Sequence, residues 1–159
     1  MARINPNECS RNVFAFLDAI AASEGTSTNS VTKNNGYDVI VGGALFSDFS
    51  THPHVMVDLP KLGIKSSAAG RYQILYRNWI AYKQALELPD FGPISQDKIA
   101  IEMIKECHAL PFLAVGNFSD AIRVCAHIWA SLPGAGYGQH ENKMDMLAAV
   151  YQGSGGMIA

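Results

Sequence analysis

Of the residues that could do chemistry in this chain, Glu24 has the most telling position. It lies in the run FLDAIAASEGTST, residues 16–28, just before Gly25. Val13, Leu17, Ile20 and Glu24 follow one another at steps of four, three and four, the spacing of a single helix face. The carboxylate therefore continues an apolar stripe, and Gly25 supplies a helix stop. A carboxyl group on such a face resists ionisation, because burial disfavours the charged form. A glutamic acid kept protonated near neutrality is what general-acid attack on a glycosidic oxygen requires. The same spacing also fits a helix end that frays into water, and on spacing alone both readings stand.

A two-carboxylate glycosidase needs a second acid across the scissile bond. Asp38, Asp48 and Asp58 are the first acids after Glu24. Asp38 opens a predicted hairpin and could face a cleft; an Asp there also commonly bonds its own turn. Transglycosylation dispenses with the second carboxylate, since a hydroxyl of the sugar itself can attack. In SSAAGRYQIL, residues 66–75, Tyr72 and Gln73 could stack on and hydrogen-bond a sugar, with Gly70 permitting the turn before them. SLPGAGYGQ, residues 131–139, displays Tyr137 and Gln139 on a glycine-rich loop. It lacks the Gly-Lys-Ser/Thr ending of a phosphate loop and follows a helix, which argues against nucleotide binding.

His52, His54 and Asp58 could be metal ligands, but Pro53 between the histidines indicates a loop, and no metal site is expected. His108, His127 and His140 are dispersed. Trp79 and Trp129 read as core. Cys9, Cys107 and Cys125 are too few and too scattered for a disulfide framework or a zinc site, and the last two sit in apolar helical patterns.

These side chains must be held by a fold of class α+β. The first helix is predicted from an Asn5 cap, with Pro6 at its first position, to about Glu24. Between Gly25 and Gly70 helical periodicity disappears. YDVIVGGALF reads there as two strands turning at Gly42-Gly43, and HVMVDL, residues 54–59, as a third. Helices follow from about Arg71 to before Pro89, from a Ser95 cap to a stop at Pro111, from Ser119 to a stop at Pro133, and from about Asn142 to Tyr151. The layout is one domain over residues 1–159, with a β-rich lobe at about 25–70, a helical lobe at about 71–152 and a cleft between them. The 159 residues are 48% apolar with a net charge of −2, so attraction to nucleic acid or to an anionic membrane is not expected. No stretch reads as a signal peptide or a membrane span, which suggests synthesis in a cytoplasm.

Four segments together, ASEGT, NNGYDVIVGGALFSDFSTHP, AAGRYQIL and IWASLPGAGYGQ, resemble the lambda-type endolysins of phages and prophages. The similarity extends from about Val13 to Leu147 with motif order kept. It implies a lysozyme-like fold, mainly helical with a small antiparallel β lobe. It implies cleavage of the β-1,4 bond between N-acetylmuramic acid and N-acetylglucosamine in peptidoglycan by a lytic transglycosylase, leaving 1,6-anhydromuramic acid. By this resemblance Glu24 is the single catalytic residue, and Tyr37, Asp38, Tyr72, Gln73, Tyr137 and Gln139 are carried over as glycan-binding. No cofactor is implied. The implied partners are glycan strands and, for access to the wall, a phage holin that releases a monomeric enzyme from the host cytoplasm. Ala22 stands where the lambda relative has Trp, so packing around Glu24 is expected to differ. A hydrolytic muramidase using Asp38 to position water, and a wall-binding module without catalysis, are the alternatives.

Overall fold

The computed structural model describes residues 1–5, 7–136 and 141–159. Its elements are α1 (Arg11–Ser23), β1 (Val57–Leu59), β2 (Ile64–Ser66), α2 (Tyr76–Ala85), α3 (Pro93–Glu106), α4 (Leu110–Ala114), α5 (Phe118–Cys125) and α6 (Met144–Gly153). The class is α+β and mainly helical. The central element is α1, which is buried along nearly its whole length and packs against α3, α4 and α6. Phe16 meets the edge of Phe118 at 5.9 Å between ring centroids, and Phe118 in turn lies 4.5 Å from Tyr151 on α6. Each such fully buried apolar side chain contributes about 1.5–3 kcal/mol. The burial of Val13, Leu17 and Ile20 fixes the rotation of α1, and with it the direction in which Glu24 leaves the helix.

α1 starts later than the sequence signals suggest. Its cap is Ser10, whose Oγ accepts the Val13 amide at 3.3 Å. Ala2 and Ile4 are drawn into the core instead: Ala2 N donates to Asp18, and the amides of Arg3 and Ile4 donate to Asp97. The chain must then turn at Asn5, where Glu8 N donates to Asn5 O, before the helix can begin. The expected Pro6 position lies outside the described residues.

The predicted hairpin around Gly42-Gly43 is a turn held by an isolated bridge, Val39 to Leu45, with Ile40 N donating to Ala44 O at 2.7 Å. Among the described residues the ladder is β1 with β2, antiparallel, in the register Val57–Ser66, Asp58–Lys65 and Leu59–Ile64. Residues 71–74 are not the first turn of a helix. They form a tight loop that closes on the paired Ala69 and Ile74, with Gln73 at φ 48°, and α2 begins only at Tyr76.

Pro111 opens α4 instead of ending α3. The latter ends at Glu106 because His108 takes a positive φ of 57° and the His108 and Ala109 amides bond back to Lys105 and Ile104. α3 is capped at Gly92, with Pro93 at its first position and not at Ser95. α5 starts from Asn117, whose Oδ1 accepts the Asp120 amide. Among the described residues no helix is long and apolar enough to cross a membrane.

Candidate active site

Glu24 is the C-cap of α1. Gly25 follows at φ 69°, its amide donates to Ala22 O at 3.1 Å, and the Thr26 amide donates to Ala21 O at 3.1 Å. This paired closure stops the helix within one residue of the carboxylate. Thr26 is buried and its hydroxyl donates to Arg71 O at 2.6 Å, tying the helix end to the loop that carries Gln73. The Arg71 guanidinium lies inside the protein and donates to Asp18 of α1 at 2.8 Å. Two buried anchors thus set the distance between α1 and the 70–74 loop.

The Glu24 side chain opens into a cavity of about 570 Å³. Gln73, Val41 and Gly42 line it on one side, Ser131 and Asn142 on another, and Met146 and Val150 of α6 on a third. No second carboxylate lines it among the described residues. The Ser131 hydroxyl donates to Glu24 Oε1 at 2.6 Å. Burial pushes the Glu24 carboxyl up to about 7, and the Ser131 hydrogen bond restrains that rise. Such a group is half protonated near neutral pH, able to give a proton and to take one back.

The other residues singled out in the sequence have diverse positions. Gln73 lines the same cavity as Glu24, and its amide nitrogen donates to Gly70 O at 3.0 Å. Tyr37 and Tyr72 are 0% exposed, with rings edge to face, and their hydroxyls donate to Asp97 Oδ1 at 2.7 and 2.5 Å. These two tyrosines therefore belong to the core, and the structure does not bring their rings to the cavity. Asp38 is buried away from Glu24's cavity. It accepts the Lys33 amide at 3.0 Å and the Thr32 hydroxyl, the turn-ordering role open to an Asp at such a position. Tyr137 and Gln139 lie outside the described residues.

The glycine-rich loop before them folds back on Glu141, whose carboxylate accepts the Gly134 and Gly136 amides at 2.8 Å each. Those two bonds hold the Glu141 carboxyl below its usual range. His52 is buried and gives Nε2 to Ile74 O, while His54 stacks on Tyr76; no cluster among the described residues could hold a metal ion. Trp79 and Trp129 are buried. Sequence reasoning missed Ser131 as the partner of Glu24, and Ser23 and Asn142 as partners of Ser131. Ser131 carried one signal, its place at the start of the run SLPGAGYGQ, residues 131–139.

The model of the Endolysin family matches residues 14–158. This chain belongs to that family. It is 55% identical over 146 residues to the endolysin of Escherichia phage lambda, covering 91% of each protein. To the endolysin of Escherichia phage P2 it is 48% identical over 158 residues, covering 94% of this chain and 96% of the relative. The structure superposes over its whole length on bacteriophage lambda lysozyme complexed with a chitohexasaccharide, with a TM-score of 0.89 and 50% identity. A second structure of the lambda lysozyme gives a TM-score of 0.86. The lysozyme-like fold expected from the motifs is thus established. The endolysin is a peptidoglycan-degrading enzyme of lysozyme type.

Proposed function

We propose that this endolysin cleaves the β-1,4 bond between N-acetylmuramic acid and N-acetylglucosamine as a lytic transglycosylase, with Glu24 as both acid and base. The observation that carries this reading is a single buried carboxyl, lifted to about 7, in a cavity without a second carboxylate among the described residues. Protonated Glu24 gives its proton to the glycosidic oxygen as the C1–O bond breaks and positive charge builds at C1 of the muramoyl sugar. The resulting carboxylate then takes the proton of the muramoyl 6-hydroxyl while O6 bonds to C1. The 1,6-anhydro ring closes, Glu24 is protonated again, and no water is consumed.

The chain acts as one catalytic domain in this reading, and the glycan lies between the 25–70 region and the helical remainder, where the Glu24 cavity opens. Gln73 is the described residue placed to hydrogen-bond an N-acetyl sugar there. Tyr137 and Gln139 are kept as glycan contacts from the family motif. Asp38, Tyr37 and Tyr72 support the wall of the site. The sugar-bound complex of the lambda lysozyme favours a glycan as the occupant. Synthesis in the host cytoplasm, release through a holin and action as a monomer on the wall complete the proposal.

Mass spectrometry of the soluble fragments from purified peptidoglycan tests it. Muramoyl ends one water lighter than a reducing sugar are expected, and none with Glu24→Gln. Ordinary reducing ends would establish hydrolysis instead.

A further inference from the structure

Ser131 does not bond Glu24 in isolation. Ser23 Oγ donates to Ser131 Oγ at 2.9 Å, and Asn142 Nδ2 lies 3.2 Å from Ser23 Oγ, 2.8 Å from Ser23 O and 3.3 Å from Ser131 O. The Asn142 amide also donates to Ser131 O at 2.9 Å. Two of these neighbours are backbone carbonyls, which only accept, so the side-chain atom facing them must be the NH2 group. That fixes the direction of the whole chain. Ser23 Oγ accepts from Asn142 and spends its own hydrogen on Ser131, which spends its hydrogen on Glu24 Oε1. Running the chain backwards would leave the Ser23 hydroxyl hydrogen facing an amide NH2 that cannot accept it.

We infer that Asn142, Ser23 and Ser131 form a one-way hydrogen-bond relay that makes Oε1 of Glu24 a permanent acceptor and confines the catalytic proton to Oε2. Because Oε1 always receives the Ser131 hydrogen, the acid proton can reside only on the other oxygen. The relay thereby orients the acid for the first half of the reaction. In the second half it stabilises the carboxylate that must collect the 6-hydroxyl proton, as a donor to a charged acceptor does. The side chains that line the cavity around Glu24 (Thr28, Val41, Ser131, Asn142, Met146 and Val150) include no other ionisable group among the described residues. The relay is consequently the local device that opposes the effect of burial. All three are positioning residues, acting through Glu24, and the inference rests on the acid–base reading of that residue.

The test measures kcat and KM against pH on soluble glycan fragments for the wild type, Ser131→Ala, Ser131→Thr, Asn142→Ala and Glu24→Gln. Ser131→Ala is expected to lower kcat by about tenfold or more with KM little changed, and to move the alkaline limb of kcat upward by about one pH unit. Ser131→Thr, which keeps the hydroxyl, should restore both. Asn142→Ala keeps the backbone bond to Ser131 O and should shift the limb in the same direction by less. If Ser131→Ala folds, by its thermal melt, and its pH profile overlays that of the wild type, the relay is overturned. Should Ser131→Ala not fold, an unshifted Asn142→Ala profile overturns it equally. Full activity in Glu24→Gln would remove the acid–base reading itself; an inactive Glu24→Gln with an unshifted Ser131→Ala would remove the relay alone.

Discussion

Among the carboxyl groups withdrawn from water in this endolysin, Asp97 and Glu24 are treated in opposite ways. Asp97 on α3 receives four donors: the hydroxyls of Tyr37 and Tyr72 and the amides of Arg3 and Ile4. Glu24 at the end of α1 receives one among the described residues, from Ser131. Burial raises both carboxyls, and at Asp97, which stays above the usual range, four hydrogen bonds oppose that rise where Glu24 has the one from Ser131. Asp97 is a satisfied hub that fastens the N-terminal segment, Tyr37 and Tyr72 to α3. Glu24 is left short of donors beside an open cavity, and so remains able to exchange a proton. The number of donors aimed at a buried carboxyl, more than its burial, separates the structural acid from the chemical one.

The sharpest way to break that contrast is to remove each acid in turn. Glu24→Gln keeps the shape and loses the exchangeable proton. Lysis of wall suspensions should fall by about 10²–10⁴-fold or beyond detection, with the far-ultraviolet circular dichroism unchanged. Asp97→Asn should do the reverse. It places an NH2 among donors that need an acceptor and should cost about 3 kcal/mol in urea unfolding, while the kcat of the folded enzyme stays near that of the wild type.

A pH titration sharpens the comparison further. The native Glu24 carboxyl is raised from its ordinary value of 4.5 to about 7, so between these pH values the native state holds a proton that the unfolded chain has released. The native state then binds more protons, and stability falls as pH rises through that window. Relative to Glu24→Gln, the wild type should lose about 2 kcal/mol of unfolding free energy from pH 4.5 to 7, with the partial exposure of the residue discounted. The smallest expected effect is at the hub. Tyr72→Phe removes one of Asp97's four donors and should cost about 1 kcal/mol in the same urea measurement, with KM unchanged. A severalfold rise in KM at unchanged stability would return Tyr72 to the glycan.

What the sequence made legible follows from the range over which each feature is encoded. Glu24 was readable because its neighbours on the helix face, Val13, Leu17 and Ile20, are local and periodic. The stop at Gly25 was readable because a positive φ there favours glycine. The direction of Tyr37 and Tyr72 was not, since an aromatic next to or near a glycine suits a sugar platform and a core equally, and Asp97 is 60 and 25 residues away. Ser131 and Asn142 meet the end of α1 across 107 and 119 residues, beyond any local pattern. β2 escaped notice because Ile64-Lys65-Ser66 is three residues long and mostly polar. The late start of α1 depends on amides of residues 2–4 reaching Asp18 and Asp97, which no helix-cap signal records.

Glu24 is a carboxyl raised toward neutrality by burial and held, among the described residues, by Ser131. Carbon-13 NMR of the side-chain carboxyls, titrated from pH 3 to 9 with Glu24→Gln to assign the resonance, measures this directly. The account predicts one glutamate carbon, absent from the variant, with its midpoint near 7, well apart from the remaining glutamates. A Glu24 resonance that titrates with the others in the ordinary carboxylate range would contradict it.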